Sequence, residues 1–250
     1  MIRNFKRTAA IFGVVAVGSV ALVACGDSDN GTDSTATTAA EGTAAGSAEG
    51  LSGTTGQLVG EGASSQQNAM DYFGQKYGET VSGASLAYTA SGSGSGRTNF
   101  VGGQVAFAGS DSPLKEDQVE GAAQRCGGNE AWHLPFVIGP VAIAYNLEGV
   151  ENLNLHVDTV AKIFKGDITK WNDAEIAAEN EGVDLPDTDI SVVYRSDESG
   201  TTDNFQKFLG AATDIWETEG QVFPTAVGEG ANGSNGVASQ VTAIDGGITY

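Results

Sequence analysis

From Gly56 onward, short apolar runs alternate with segments of helical period, and polar, glycine-bearing stretches join them. Ser85–Thr89, Gln104–Ala108, Val137–Tyr145 and Ile190–Arg195 are rich in Val, Ile, Phe, Tyr or Ala and bounded by Gly, Asp or Ser, so they read as strands. Met70, Phe73 and Tyr77 recur at helical spacing. So do Val160, Ile163 and Phe164, with Asp158 as N-cap and Gly166 as stop, and Phe205, Phe208 and Leu209, ending at Gly210. Such alternation predicts an α/β fold with mainly parallel sheets. Ligands of such sheets sit outside the carboxyl ends of the strands, so the polar joints are where a site is sought.

Charge excludes one class of partner. With 12 Lys+Arg against 32 Asp+Glu the formal net charge is −20, which repels a nucleic-acid backbone. Two Cys and two His argue against a structural zinc site, and no cofactor or metal is expected.

The N-terminus reads as an export signal over 1–24. Arg3, Lys6 and Arg7 precede the uncharged run Ala9–Ala24, which is short for a bilayer span and suited to a signal peptide. The run ends Leu22-Val23-Ala24-Cys25, which resembles a bacterial lipobox and implies cleavage before Cys25 and lipidation of its thiol. Cleavage removes three of the 12 basic residues and no acid, so the charge moves from −20 to about −23. Residues 25–55 carry that Cys and a tract dominated by Gly, Ser, Thr, Ala and acids, without an aromatic residue; it reads as a tether reaching roughly 30 Å. Cys126 then lacks an evident partner. Because Tyr250 falls inside an apolar, strand-like run, the sequence is expected to be a fragment whose missing part could hold that partner.

Four polar segments carry the candidate chemistry. Gly60-Glu61-Gly62-Ala63-Ser64-Ser65 precedes the Met70 helix; Ser64 stands as an N-cap, and free N–H groups there could face an anion or simply start a helix. Ser91–Gly96, all Ser and Gly, reads as a loop between two strands. Asp111 leaves the end of a strand, either facing a ligand or making an Asx-turn before Pro113. In Arg195-Ser196-Asp197-Glu198-Ser199-Gly200-Thr201-Thr202, Asp197 can orient the Arg195 guanidinium, and Ser199, Gly200 and Thr201 enter a helix N-terminus with hydroxyls and unpaired N–H groups.

These four segments, in this order, resemble the substrate-binding lipoprotein of the high-affinity bacterial phosphate ABC importer. That family carries Gly-x-Gly-Ala-Ser/Thr, a Gly/Ser-rich second loop, Phe-x-x-Ser-Asp-x-Pro-Leu and Arg-x-Asp-x-Ser-Gly-Thr. Residues 165–173 and 246–250 also match its style. The resemblance implies a two-lobed periplasmic-binding-protein fold of type II with a hinge: 56–138 in lobe I, 139–246 in lobe II, and 247–250 beginning a return to lobe I. It implies a phosphate site made by Ser64, Ser65, Ser93, Asp111, Arg195, Ser199, Gly200 and Thr201, with Asp197 orienting Arg195. Ser65 departs from the family, which often has an aromatic residue followed by Pro there, but only backbone donation is needed at that position.

The implied protein is an exported, lipid-anchored monomer, held on the outer face of the membrane, that delivers phosphate to ABC permease subunits and catalyses nothing. The alternatives are a binder of sulfate or molybdate and a secreted phosphate-ester hydrolase with Ser199 as nucleophile. Serine catalysis needs a nearby base, and His133 and His156 lie in no motif.

Overall fold

The computed structural model describes residues 55–224 and 227–250. The signal, Cys25 and the tether lie outside the described residues. Two sheets organise the described chain. The first has the order β2-β1-β3 and is wholly parallel: β1 is Gly56–Gly62, β2 Ala84–Thr89 and β3 Phe107–Gly109. The second has the order β4-β7-β5-β6, from Ala144–Asn146, Gly247–Thr249, Ser191–Arg195 and Glu229–Ala231. There β5 runs parallel to both β6 and β7, and β4 is antiparallel to β7. The predicted α/β class with mainly parallel sheets is borne out.

Around the first sheet lie α1 (Gln67–Thr80), α2 (Ser93–Val101) and α3 (Glu116–Arg125). With the second go α4 (Val157–Lys165), α5 (Ala174–Glu179), α6 (Gly200–Ala212) and α7 (Gly233–Ala243). The main core belongs to this second half: Ile163, Phe164, Trp171, Leu209, Phe223 and Ile248 are essentially fully buried together. Tyr250 stacks on Phe205 at 4.5 Å between ring centroids and joins that core. Under the first sheet the apolar faces are less covered: Leu58 is 47% exposed and Val59 38%.

Helical periods locate helices better than their ends. Val160, Ile163 and Phe164 are buried as their spacing requires, and Gly166 stops α4 in the left-handed conformation at φ 90°. The N-cap of α4 is His156 rather than Asp158, which sits in the first turn, where its charge still favours the positive helix end. Helix α6 continues past Gly210 to Ala212, since Ala211 and Ala212 are good helix formers and a glycine near a helix end costs little. Phe208 is 59% exposed, so only Phe205 and Leu209 of that predicted stripe are core.

Strand length is overestimated where composition is the only signal. Val137–Tyr145 pairs only from Ala144, and Ile138 is 96% exposed; an apolar run becomes a strand only where a neighbour takes its N–H and C=O groups. Gln104–Ala108 likewise begins to pair only at Phe107. The Gly/Ser stretch 91–96 is corrected outright. Gly92, at φ 97°, is the N-cap of α2, and Ser93 to Gly96 are its first turns. Helix-poor residues are tolerated because contact requires them: a Cβ on Gly96 would stand 2.5 Å from Gly62 Cα.

Candidate functional site

Every predicted site residue stands just beyond the carboxyl end of a parallel strand: Ser64 and Ser65 after β1, Ser93 after β2, Asp111 after β3 and Arg195 at the end of β5. Helices α2 and α6 begin there and meet: Gly94 N–H in the first turn of α2 donates to Glu198 O at 3.0 Å, while Thr202 N–H in the first turn of α6 donates to Ser199 Oγ at 3.2 Å. Two hydrogen-bond networks organise this cleft.

The first centres on Asp111. Its Oδ1 accepts from Ser65 Oγ at 2.7 Å and its Oδ2 from Thr201 Oγ1 at 3.3 Å. Its backbone N–H donates to Ser93 Oγ at 3.1 Å, and its carbonyl accepts from Asn204 Nδ2 at 2.8 Å. One residue thereby ties β1, α2 and α6 together. The Asx-turn alternative fails: Ser110 makes the local turn, accepting from Ser112 N–H at 3.2 Å and donating to Ser112 O at 2.6 Å. Tyr88, whose hydroxyl donates to Ala63 O at 2.9 Å, has its phenol pushed up by burial, with the charges of Asp111 and Glu61 adding to it.

The second network centres on Arg195. Its side chain is 2% exposed, and its Nε donates to Asp197 Oδ1 at 2.8 Å while Nη2 donates to Oδ2. This fork uses one edge of the guanidinium and leaves the outer N–H groups for another acceptor. One of them, on Nη1, reaches Ser234 Oγ at 3.4 Å. Burial pushes the Asp197 carboxyl up, but the Arg195 hydrogen bonds, the Gly233 N–H at 3.0 Å and the guanidinium charge outweigh it and hold the carboxyl below its usual value.

Ser199 is buried and caps α6, its Oγ accepting from Thr202 N–H at 3.2 Å while its own proton stays free. Neither histidine serves it as a base: His133 Nε2 accepts from Leu114 N–H, and His156 pairs with Glu179. Gly200 is a steric requirement, since a Cβ there would stand 2.5 Å from Ser93 Oγ and 2.7 Å from Asp111 Cβ. Ser64 is not the predicted N-cap. Ala63 and Gln66 precede the short 3-10 turn and α1 without side-chain caps, and Ser64 Oγ instead meets Ser234 Oγ at 3.0 Å and accepts from Ser234 N–H at 2.9 Å.

Three residues escape the sequence reading. Gly233 and Ser234 follow β6 in the same strand–small residue–helix pattern as the four segments above, a signal that could have found them. Arg97, on the second turn of α2, is a second buried guanidinium; it donates to Pro113 O at 2.8 Å and to Gln221 Oε1. Burial lowers its pKa against the charges of Glu198, Asp203 and Asp117. Cys126 is a half-buried free thiol at the end of α3. Among the described residues there is no cluster of metal-ligating side chains, and no helix is long and apolar enough to cross a membrane.

Helix N-termini, hydroxyls and one oriented guanidinium at the carboxyl ends of parallel strands define a class: a two-sheet α/β protein with a donor-lined cleft. Residues 34–250 match the PBP superfamily domain, and the chain belongs to that superfamily. It is 45% identical over 259 residues to the phosphate-binding protein PstS2 of Mycobacterium bovis (strain BCG / Pasteur 1173P2), an alignment covering 99% of this chain and 66% of that one. To PstS3 of the same strain it is also 45% identical, over 249 residues and with the same coverage. Among solved structures, a high-affinity periplasmic phosphate-binding protein, PfluDING, bound with phosphate at pH 8.5, superposes with a TM-score of 0.61 at 28% identity, over 78% of this chain and 56% of that one. The chain thus spans 66% of the length of these curated relatives.

Proposed function

We propose that this protein binds inorganic phosphate outside the cytoplasm and delivers it to an ABC-type permease, without catalysing a reaction. The observation that carries the reading is that adjoining serines after β1 reach both networks: Ser65 Oγ donates to the carboxylate of Asp111, and Ser64 Oγ meets Ser234 Oγ, which also receives the oriented guanidinium of Arg195. A carboxylate repels a fully ionised anion such as sulfate. It accepts a hydrogen bond from phosphate, which keeps at least one O–H at neutral pH. The similarity to mycobacterial PstS proteins supports the same ligand.

At a net charge near −20 the whole-molecule field opposes an approaching anion, so affinity comes from short-range donors. The ligand donors are the backbone N–H groups of Ser64, Ser65, Gly200 and Thr201, the hydroxyls of Ser64, Ser93 and Ser199, and the outer edge of Arg195, while the Thr201 hydroxyl holds Asp111. Asp197 orients that guanidinium. Closing residues 56–138 against 139–246 over the ligand excludes water and strengthens each of these bonds. Delivery is served by an anchor at Cys25, with 25–55 as tether and the protein acting as a monomer. Titration with phosphate and with sulfate tests the reading: tight phosphate binding with sulfate far weaker supports it, and equal affinities reject it.

A further inference from the structure

The first turn of α7 lies in the cleft but belongs to none of the four segments from which the site was read. Ser64, after β1, and Ser234, after β6, come from different sheets and stand 170 residues apart in sequence, yet make two hydrogen bonds. We propose that Ser234 is a positioning residue of the anion site, clasping Ser64 and Arg195 in the closed arrangement so that the serine pair offers the cleft a single hydroxyl proton. This rests on the phosphate-binding reading.

A hydroxyl has one proton and two acceptor sites. Ser64 Oγ accepts the Ser234 N–H at 2.9 Å, and Ser234 Oγ receives Arg195 Nη1 at 3.4 Å. The 3.0 Å contact between the two oxygens uses one hydroxyl proton, from either side. If Ser64 donates, Ser234 Oγ has both acceptor sites filled, by Ser64 and Arg195, and keeps its own proton. If Ser234 donates, Ser64 Oγ has both filled, by the N–H and O–H of Ser234, and keeps its proton. In either arrangement the hydroxyl left over can donate and cannot accept, while the other oxygen of the pair keeps one acceptor site. The leftover proton suits an oxyanion.

The same bonds join the turn after β1 to the first turn of α7, so opening the cleft breaks them. Their contribution therefore falls mainly on ligand release, since opening is the step that breaks them. A residue of purely structural importance would lower stability and leave the release rate alone.

The test uses the full chain with phosphate as probe, following affinity by calorimetry and release by stopped flow. Ser234→Ala is expected to weaken phosphate roughly tenfold, the scale of one lost hydrogen bond beside a buried charge, mainly through faster release. Ser234→Thr, which keeps the hydroxyl, is expected to retain binding. The double variant Ser64→Ala/Ser234→Ala should be little weaker than the worse single one, because both remove the same unit. Unchanged affinity and release in Ser234→Ala, or fully additive losses, would overturn the proposal. If the unaltered protein binds no phosphate, the phosphate reading fails, and amide exchange without ligand still decides the clasp. The Ser234 N–H should be protected in the unaltered protein and exchange faster in Ser64→Ala; equal exchange removes the clasp.

Discussion

Gly200 and Asp111 approach so closely that no side chain fits between them: a Cβ on Gly200 would lie 2.7 Å from Asp111 Cβ and 3.0 Å from Asp111 N. The glycine lets the N-terminus of α6 reach the carboxylate that ends the β3 segment. Gly200→Ala should therefore displace Asp111 and Ser93, costing on the order of 1–3 kcal/mol in stability as an overpacked contact and a larger share of phosphate affinity. Gly139→Ala is the control, since nothing lies within 4 Å of its Cβ position. Calorimetry and thermal melting of both variants check this; wild-type affinity in Gly200→Ala would mean that the cleft does not hold its ligand there.

Arg195 supplies a desolvated positive charge whose fork is fixed by Asp197. Losing such a contact to a buried anion costs on the order of 2–5 kcal/mol, or roughly 30- to 5000-fold in affinity. Arg195→Ala should show that loss. Arg195→Lys should recover little of it, because an ammonium cannot match both Asp197 oxygens and still present a planar edge. Near wild-type phosphate affinity in either variant contradicts the assignment.

The Asp197 carboxyl, held below its ordinary value of 3.8, links the site to pH. A carboxyl with a depressed folded value binds its proton more weakly folded than unfolded. Its contribution to stability is complete above the unfolded value and is lost as pH falls through the folded one. The stability gap between the unaltered protein and Asp197→Asn should thus be constant at neutral pH and shrink below about pH 4. Differencing against the variant cancels the titration of the other acids. Chemical denaturation across pH measures it, and a gap that widens on acidification would reverse the sign of the argument.

Anchoring is tested at Cys25. Cys25→Ser should release the protein from membrane fractions without lowering its melting temperature. Unchanged partitioning into detergent would reject lipidation at that thiol.

The sequence discloses the candidate site better than the architecture around it. Asp111, Arg195 and Ser199–Thr201 were legible because each sits where a strand of distinctive composition meets small polar residues, a local signal. Ser234 carries the same signal, but Gly233-Ser234-Asn235-Gly236 also reads as a plain turn, and its partner Ser64 is fixed only by the fold. Ser64 looked like a helix cap for the same reason: capping is judged from neighbours in sequence, whereas its hydroxyl is taken by a residue 170 positions away. Ser93–Gly96 form a helix against their propensity because Gly96 lets α2 approach the backbone of Glu61 and Gly62, and Gly94 leaves room for the Glu198 side chain. Val137–Ile143 have the composition of a strand but no neighbour to pair with among the described residues. Pairing is a tertiary fact that composition does not encode.

The central claim is that Asp111 faces a protonated oxyanion beside Arg195. The most direct measurement is a calorimetric titration of phosphate and of sulfate into the unaltered protein and into Asp111→Asn. The Asp111 carboxylate accepts a hydrogen bond from the O–H of phosphate and leaves sulfate with an unpaired repulsion, whereas the amide can donate to either anion. The account predicts strong preference for phosphate in the unaltered protein and a marked fall in the phosphate-to-sulfate ratio in Asp111→Asn, as sulfate gains. An unchanged ratio would contradict it.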